Sequence, residues 1–288
     1  MPLTALAPAK VNLFLHVGPP GADGYHPLAS LVAFADVGDK VSLTLADRMS
    51  FEVTGPFADA LVGEVDNLVA RALGLFAAAA GRPGPAFAAT LDKRLPVAAG
   101  LGGGSSDAGA ALRLANQLTG DLVSAGELEK IAGALGADGP MCLRMETAWA
   151  TGRGDALAPE ARLPRLPAVL VNPRAPSPTG AVYRAYDVEV RGSADLPDPP
   201  ASWTLDGVID WLRSQRNDLE APAVRLEPRI GEVLSLVGEA PEAALTRMSG
   251  SGATVFALCR SGSDAASLAA RVSAQRPDWW VARCGLGG

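Results

Sequence analysis

Gly100-Leu101-Gly102-Gly103-Gly104-Ser105-Ser106 stands between an apolar run at 86–91, which reads as a strand, and an alanine-rich run at 108–115, which reads as a helix. Glycine has no Cβ, so such a segment can take positive φ and bring its backbone close to a ligand. Successive N–H groups then form a concave anion site. The helix behind adds orphan donors and the positive end of its dipole. The serine hydroxyls can cap the helix or reach a phosphate or its metal. This chemistry suits the holding of a polyphosphate. It is not a Walker loop, because no lysine follows the glycines. Nor is it a dinucleotide loop: counting from Gly100, the sixth position is Ser105 rather than glycine. A flexible hinge would need neither the serines nor the helix start.

Other residue types in the chain could act on what such a cradle holds. Val11, Leu13, Leu15 and Val17 alternate, so Lys10 and Asn12 share the opposite strand face, either as part of a site or as a solvated edge. Asp138 follows a helix and precedes Gly139-Pro140, where a lone aspartate can cap the next turn. Tyr25-His26 closes a loop dense in Gly, Pro and Asp. A tyrosine face can stack on a ring, and an imidazole can donate and accept hydrogen bonds. Of the two histidines, His16 lies mid-strand and reads as structural, whereas His26 is placed to meet a ligand. Thr179 and Tyr183 are four apart on a short helix and share one face. Lys93, just before the cradle, is a candidate nucleotide contact, and Asn67 reads as capping support for the helix that follows. Ser249-Gly250-Ser251-Gly252 lies between two apolar strands, as a second small-residue loop or an ordinary hairpin turn.

Six stretches in this order resemble the GHMP kinases, the family of galactokinase, homoserine, mevalonate and phosphomevalonate kinases. They are Ala7-Pro8-Ala9-Lys10-Val11-Asn12-Leu13, Asp23-Gly24-Tyr25-His26, Pro96-Val97-Ala98-Ala99-Gly100 through Ser106, Leu135-Gly136-Ala137-Asp138, Asn217-Asp218-Leu219-Glu220, and Met248-Ser249-Gly250-Ser251-Gly252-Ala253. The resemblance runs over nearly the whole chain. It implies a two-lobe α+β fold with a cleft, the N-terminal lobe like ribosomal protein S5 domain 2 and the C-terminal lobe ferredoxin-like. It implies an N-terminal ATP-binding domain over 1–155 and a C-terminal domain over 156–288. It implies ATP with Mg²⁺ as cofactor, the triphosphate lying along Pro96 to Ser106 with Asn67 and Lys93, and the metal near Ser105 or Ser106. Asp138 is implied as catalytic base, with Lys10 paired to it beside the reacting hydroxyl and Asn12 in support. Tyr25, His26, Thr179 and Tyr183 are implied at the cytidine end of a cytidine-diphosphate-linked polyol, an intermediate of isoprenoid precursor synthesis. Ser249, Gly250, Ser251 and Gly252 are implied near its phosphate end. The family departs here at Gly139, where an apolar residue usually follows the aspartate. A mevalonate or homoserine acceptor would need no aromatic pair, and a catalytically silent sensor would not need both Lys10 and Asp138.

The elements that must position these groups follow from pattern. Strands are expected at 3–17, 27–35, 39–45, 51–53 and 86–91. A helix runs from an Asp66 cap to Ala80, and another opens at Ser124 with capping-box spacing to Glu127. After a strand at 148–154, residues 158–167 read as a linker and 168–171 as a buried strand. Residues 192–202, rich in Pro and Asp, read as a mobile loop. Helices follow at 204–213 and to about 238, strands at 243–245 and 254–258, then a helix at 264–275 and a strand at 279–281.

Composition sets the outer bounds. The 288 residues are 48% hydrophobic, with a formal net charge of −6, enough for a packed core of two lobes. An acidic chain with no basic run argues against a nucleic-acid surface. Cys142, Cys259 and Cys284 are odd in number and show no CxxC pair, which fits reduced, buried thiols in a cytoplasmic protein. No stretch approaches the roughly 20 apolar residues of a membrane span, and no signal segment is evident. Small molecules are the expected partners; the oligomeric state is left open.

Overall fold

The computed structural model describes residues 2–63, 66–81, 83–188 and 192–288. Along the chain run β1 (Leu3–Asn12), β2 (His16–Val17), β3 (Leu28–Ala46), β4 (Ser50–Thr54), α1 (Leu68–Ala79), β5 (Ala86–Asp92), α2 (Gly103–Leu118), α3 (Ala125–Leu135), α4 (Gly139–Arg144), β6 (Ala148–Thr151), β7 (Ala156–Pro159), β8 (Leu166–Asn172), α5 (Thr179–Asp187), α6 (Leu205–Arg213), α7 (Glu220–Leu226), α8 (Pro228–Gly238), β9 (Leu245–Met248), β10 (Val255–Leu258), α9 (Gly262–Gln275) and β11 (Trp280–Leu286). Two compact units result. One comprises Met1–Ala9, Val37–Val97 and Gly102–Met145; the other comprises Lys10–Asp36, Ala98–Leu101 and Glu146–Gly288. Among the described residues no helix is long and apolar enough to cross a membrane.

In the first unit the later part of β3 pairs antiparallel with β5, from Lys40↔Asp92 to Ala46↔Ala86, and β4 pairs parallel with β5. Strict alternation along β5 buries Phe87, Ala89 and Leu91 on one face. That face meets Val69, Leu73 and Phe76 of α1 and the small residues of α2 in one core. α2 is buried along most of its length because alanine and glycine dominate it. A Cβ on Gly109 would lie 2.6 Å from the Cys142 carbonyl oxygen, so α2 and α4 touch backbone to backbone.

In the second unit β11 pairs with β8, β8 with β10 and β10 with β9, all antiparallel, and Leu286 of β11 meets Ala35 of β3. Its core joins Val169 and Val171 to Val255, Ala257, Leu268 and Val272. Thr204 caps α6, accepting from Gly207 N at 3.2 Å, and Ser261 caps α9, accepting from Asp264 N at 3.0 Å.

Several sequence expectations shift. The strand expected at 3–17 breaks after Asn12 and resumes at His16. The strands expected at 27–35 and 39–45 are one strand of 19 residues. Asn67, not Asp66, caps α1, accepting from Val69 N at 2.9 Å. Gly103, Gly104, Ser105 and Ser106 belong to α2, which starts five residues before the alanine-rich run. The expected linker at 158–167 begins inside the hairpin of β6 and β7, paired from Ala148↔Pro159 to Thr151↔Ala156. Residues 192–202 form neither helix nor strand but are tied down. Arg216 donates to the Ser193 carbonyl at 2.8 Å, Trp211 Nε1 to the Asp198 carbonyl at 2.9 Å, and His16 Nδ1 lies 3.2 Å from the Asp195 carbonyl.

Candidate functional site

Within the first unit the site is the start of α2. Gly102 is its N-cap residue with φ +60°, and no side chain caps the helix. The N–H groups of a first helical turn have no intrahelical acceptor, so those of the Gly103-Gly104-Ser105 turn are left for a ligand. Ser105 is half-buried, whereas Ser106 is fully buried and donates to the Pro8 carbonyl at 2.7 Å. Ser106 therefore anchors the turn from below. Pro96 and Val97 precede the cradle, with Val97 exposed.

Lys93 is 3% exposed, and its ammonium donates to Asp39 at 2.6 Å and to Asp107 at 2.7 Å. Burial opposes the lysine charge, but pairing with Asp107 and Asp39 outweighs it and raises the pKa of Lys93, while burial pushes Asp107 up to about 8. Asp39 also accepts from Arg94 N at 2.5 Å and Leu95 N at 2.8 Å.

Asp138 sits at the N-cap position of α4, yet its side chain makes no capping hydrogen bond. The far end of the same helix is held from α2. Arg113 donates to the carbonyls of Cys142 at 3.1 Å and Leu143 at 2.9 Å, and to Met145 sulfur at 2.9 Å. Burial lowers the Arg113 pKa to about 10.

Within the second unit, Ala98–Leu101 is threaded between β1 and the loop at 249–254. Lys10 N donates to the Leu101 carbonyl at 2.8 Å, Ser249 Oγ to the Gly100 carbonyl at 3.0 Å, and Thr254 N to the Ala99 carbonyl at 3.1 Å. Gly100 has φ +71°, and a Cβ there would lie 2.8 Å from the Gly252 carbonyl and against that of Ser249. Only glycine meets both demands. Lys10 and Asn12 are each 6% exposed; Asn12 N donates to Ser249 Oγ at 3.2 Å, and Asn12 Nδ2 to Ser30 at 2.8 Å. Thr179 and Ser251 exchange a hydrogen bond of 2.9 Å, and Ser177 donates to the Ser251 carbonyl at 2.6 Å.

Of the ring-bearing site residues in this unit, His26 and Tyr183 meet. The His26 ring lies 5.0 Å from that of Tyr183. Its Nδ1 lies 2.8 Å from the Gly18 carbonyl, so Nδ1 carries a proton, and Nε2 lies 3.3 Å from Asp187. Tyr25 is exposed, with the Arg153 guanidinium 4.1 Å over its ring; Arg153 also pairs with Asp23. His16 is buried, as expected of a structural histidine, and burial lowers its pKa.

Sequence reasoning gave no part to Asp39, Asp107, Arg113, Arg153 or Asp187. Asn217 and Glu220 were noted only as a resemblance. Asn217 Nδ2 donates to the carbonyls of Met248 and Gly250, each at 2.8 Å, and Glu220 accepts from Met248 N at 2.8 Å, so this stretch fixes the 248–250 loop. The three cysteines are free and buried.

The GHMP kinases N terminal domain matches residues 67–144, and the GHMP kinases C terminal domain matches 205–278. The chain is 56% identical to the 4-diphosphocytidyl-2-C-methyl-D-erythritol kinase of Caulobacter vibrioides, across 99% of this chain and 100% of the relative. It is 48% identical to that of Xanthobacter autotrophicus, across 97% of each. A crystal structure of 4-(cytidine 5'-diphospho)-2C-methyl-D-erythritol kinase superposes with a TM-score of 0.82 at 36% identity, covering 99% of this chain and 100% of that one. A homoserine kinase from Cytophaga hutchinsonii, at 18% identity and a TM-score of 0.63 over 100% and 96% of the two chains, shares the fold. With both family domains matched and relatives alike over their full length, the chain belongs to the GHMP kinase family.

Proposed function

We propose that this chain transfers the γ-phosphoryl group of ATP to the 2-hydroxyl of 4-diphosphocytidyl-2-C-methyl-D-erythritol, a step of isoprenoid precursor synthesis in the cytoplasm. The observation that carries phosphoryl transfer is the uncapped Gly-Gly-Ser-Ser start of α2. The names of the full-length relatives support the acceptor.

Phosphoryl transfer needs positioning and charge stabilisation more than covalent help. The amides of residues 102–105 hold the triphosphate, with Pro96–Leu101 and Asn67 flanking the nucleotide. Asp138 takes the proton of the acceptor hydroxyl as its oxygen bonds to the γ-phosphorus and the bond to the ADP oxygen breaks. The Lys10 ammonium stabilises charge that develops at the reacting oxygens, with Asn12 two residues on in the same strand. Tyr25, His26, Thr179 and Tyr183 receive the cytidine end. Ser249, Gly250, Ser251 and Gly252 lie at the phosphate end. Residues 1–155 and 156–288 are taken as the N-terminal ATP-binding and C-terminal domains, which the family matches at 67–144 and 205–278 support.

Among the described residues, no group of three or more His, Cys, Asp or Glu could hold a metal. That fits Mg²⁺, which binds through substrate phosphates and a few hard oxygen ligands rather than a protein cage. Ser105 is the hydroxyl placed to reach it, since Ser106 donates inward. Bound there, the ion neutralises phosphate charge.

An acceptor panel with ATP and Mg²⁺ tests the reading. The cytidine compound should be phosphorylated, and mevalonate and homoserine should not. Tyr25→Ala and Tyr183→Ala should each raise KM for the acceptor and leave KM for ATP nearly unchanged. Faster turnover of mevalonate or homoserine, or wild-type acceptor kinetics in both variants, overturns the acceptor assignment.

A further inference from the structure

A lysine just before a phosphate cradle is readily taken for a phosphate ligand, but the geometry at Lys93 is of another kind. Its ammonium is enclosed, 3% exposed, and shared between Asp39 and Asp107, which are 0% and 2% exposed. Each partner belongs to a different piece of the cradle. Asp39 comes from β3 and, through its other oxygen, holds the backbone N–H groups of Arg94 and Leu95, the segment that leads into Pro96. Asp107 is the fifth residue of α2, one residue after the first turn. The backbone of Lys93 is fixed too: its N–H donates to the Thr54 carbonyl at 2.7 Å, and its carbonyl accepts from Phe57 N at 3.1 Å. Lys93 Nζ lies 3.1 Å from where a Cβ on Gly103 would stand, so the ammonium sits directly beneath the turn that offers its amides.

We propose that Lys93, Asp39 and Asp107 form a buried ion triad that positions the first turn of α2 for the triphosphate, and that none of the three touches nucleotide. It rests on the reading of that turn as the triphosphate site. Ionic hydrogen bonds in a site shut off from water are strong and directional, and removing Lys93 leaves two buried acids without their cation. The triad also accounts for Gly103, where a side chain would press on the ammonium. Its effect on ATP is transmitted through backbone placement, so it appears in KM for ATP rather than in the chemical step.

Asp107 is the position that discriminates, because it lies too deep to contact nucleotide. Asp107→Asn keeps an acceptor for Lys93 and should hold KM for ATP within about threefold of wild type. Asp107→Val removes the acceptor at similar volume and should raise KM for ATP at least tenfold with kcat changed less than threefold. In the absence of ATP, Lys93→Met should lower Tm by roughly 10 °C, from the cost of stranding a buried charge and the usual slope of Tm on stability. Lys93→Met/Asp107→Asn should recover part of that loss and part of the ATP affinity. If Lys93→Met keeps its Tm without ATP while its ATP affinity falls and Asp107→Asn restores none of it, Lys93 is a phosphate ligand and the proposal is wrong. Asp107→Val with an unchanged KM for ATP overturns it equally. If Lys93→Met does not fold, that supports the structural part, and the two Asp107 variants decide the positioning part. Wild-type protein that binds no ATP in calorimetry removes the triphosphate reading instead, while the Tm measurements still judge the triad.

Discussion

Replacing Gly100 by alanine adds one carbon, and the structure fixes what that carbon meets. The residue stands at φ +71°, and the new Cβ would press on the carbonyl oxygens of Ser249 and Gly252 and lie 2.9 Å from Gly252 N. The left-handed conformation costs a non-glycine residue about 1–2 kcal/mol. Overpacking against backbone that cannot rotate away adds about 1–3 kcal/mol. Together the loss is about 2–5 kcal/mol, which for a chain of this size lowers Tm by roughly 5–15 °C. Gly74→Ala is the matched control. It lies exposed in the middle of α1, with nothing within 4 Å of its added Cβ. Alanine there gains about 1 kcal/mol in helix propensity, so Tm should rise by roughly 2–4 °C. Differential scanning calorimetry of both variants without ligand measures the two shifts. A Gly100→Ala protein melting within 2 °C of wild type would refute the claim that this glycine is fixed by close backbone approach. Equal shifts of the same sign in both variants would refute it too.

Two further predictions concern chemistry and pH. Asp138→Asn should lower kcat by about 10²-fold or more with little change in ATP affinity, and Lys10→Ala should also lower kcat, the two losses combining less than additively; near-normal kcat in Asp138→Asn would end its assignment as base. Glu160 accepts from Arg162 and from Trp149 Nε1, and the Arg162 hydrogen bonds first among the causes lower its pKa from the ordinary 4.5 to about 2. Because the folded pKa is the lower one, the ionised group stabilises the fold above about pH 4.5, and that contribution is lost as pH falls toward 2. The Tm difference between wild type and Glu160→Gln should therefore shrink between pH 5 and pH 2.5, and a difference constant over that range would contradict the assignment.

What the sequence revealed and concealed has physical reasons. Ser124 was legible because a cap is a local device, needing only the residue and the next turn. The start of α2 was misplaced because Gly-Gly-Ser-Ser has poor helix propensity, and the buried Ser106, donating to the Pro8 carbonyl, holds the turn in place. β3 was cut in two because Val37-Gly38 looks like a turn. In the fold, Gly38 marks the place where a Cβ would run into the Ala7 carbonyl of β1, so the strand continues. Asp39 was passed over since an acid in a strand reads as solvent-facing. Its burial depends on Lys93, 54 positions away, a pairing no local pattern encodes. The candidate site was legible as six small motifs, whereas Arg113 and Asp107, which hold their neighbours, carry no signature of their own.

The second unit takes residues 10–36 from near the start of the chain and completes them with residues near its end. Asp36 waits for the Gly285 amide, 249 positions later, and Asn12 for Ser249, 237 positions later. At ribosomal speeds of roughly 5–20 residues per second, that interval is about 10–50 s. During synthesis Asn12 and Asp36 therefore stand without these partners, although β3 pairs with β2 at once and with β6 at mid-chain. A nascent chain halted before β11 lacks the Leu286–Ala35 pairing and the Gly285 donor to Asp36, so residues made early keep unmet groups until that last strand arrives.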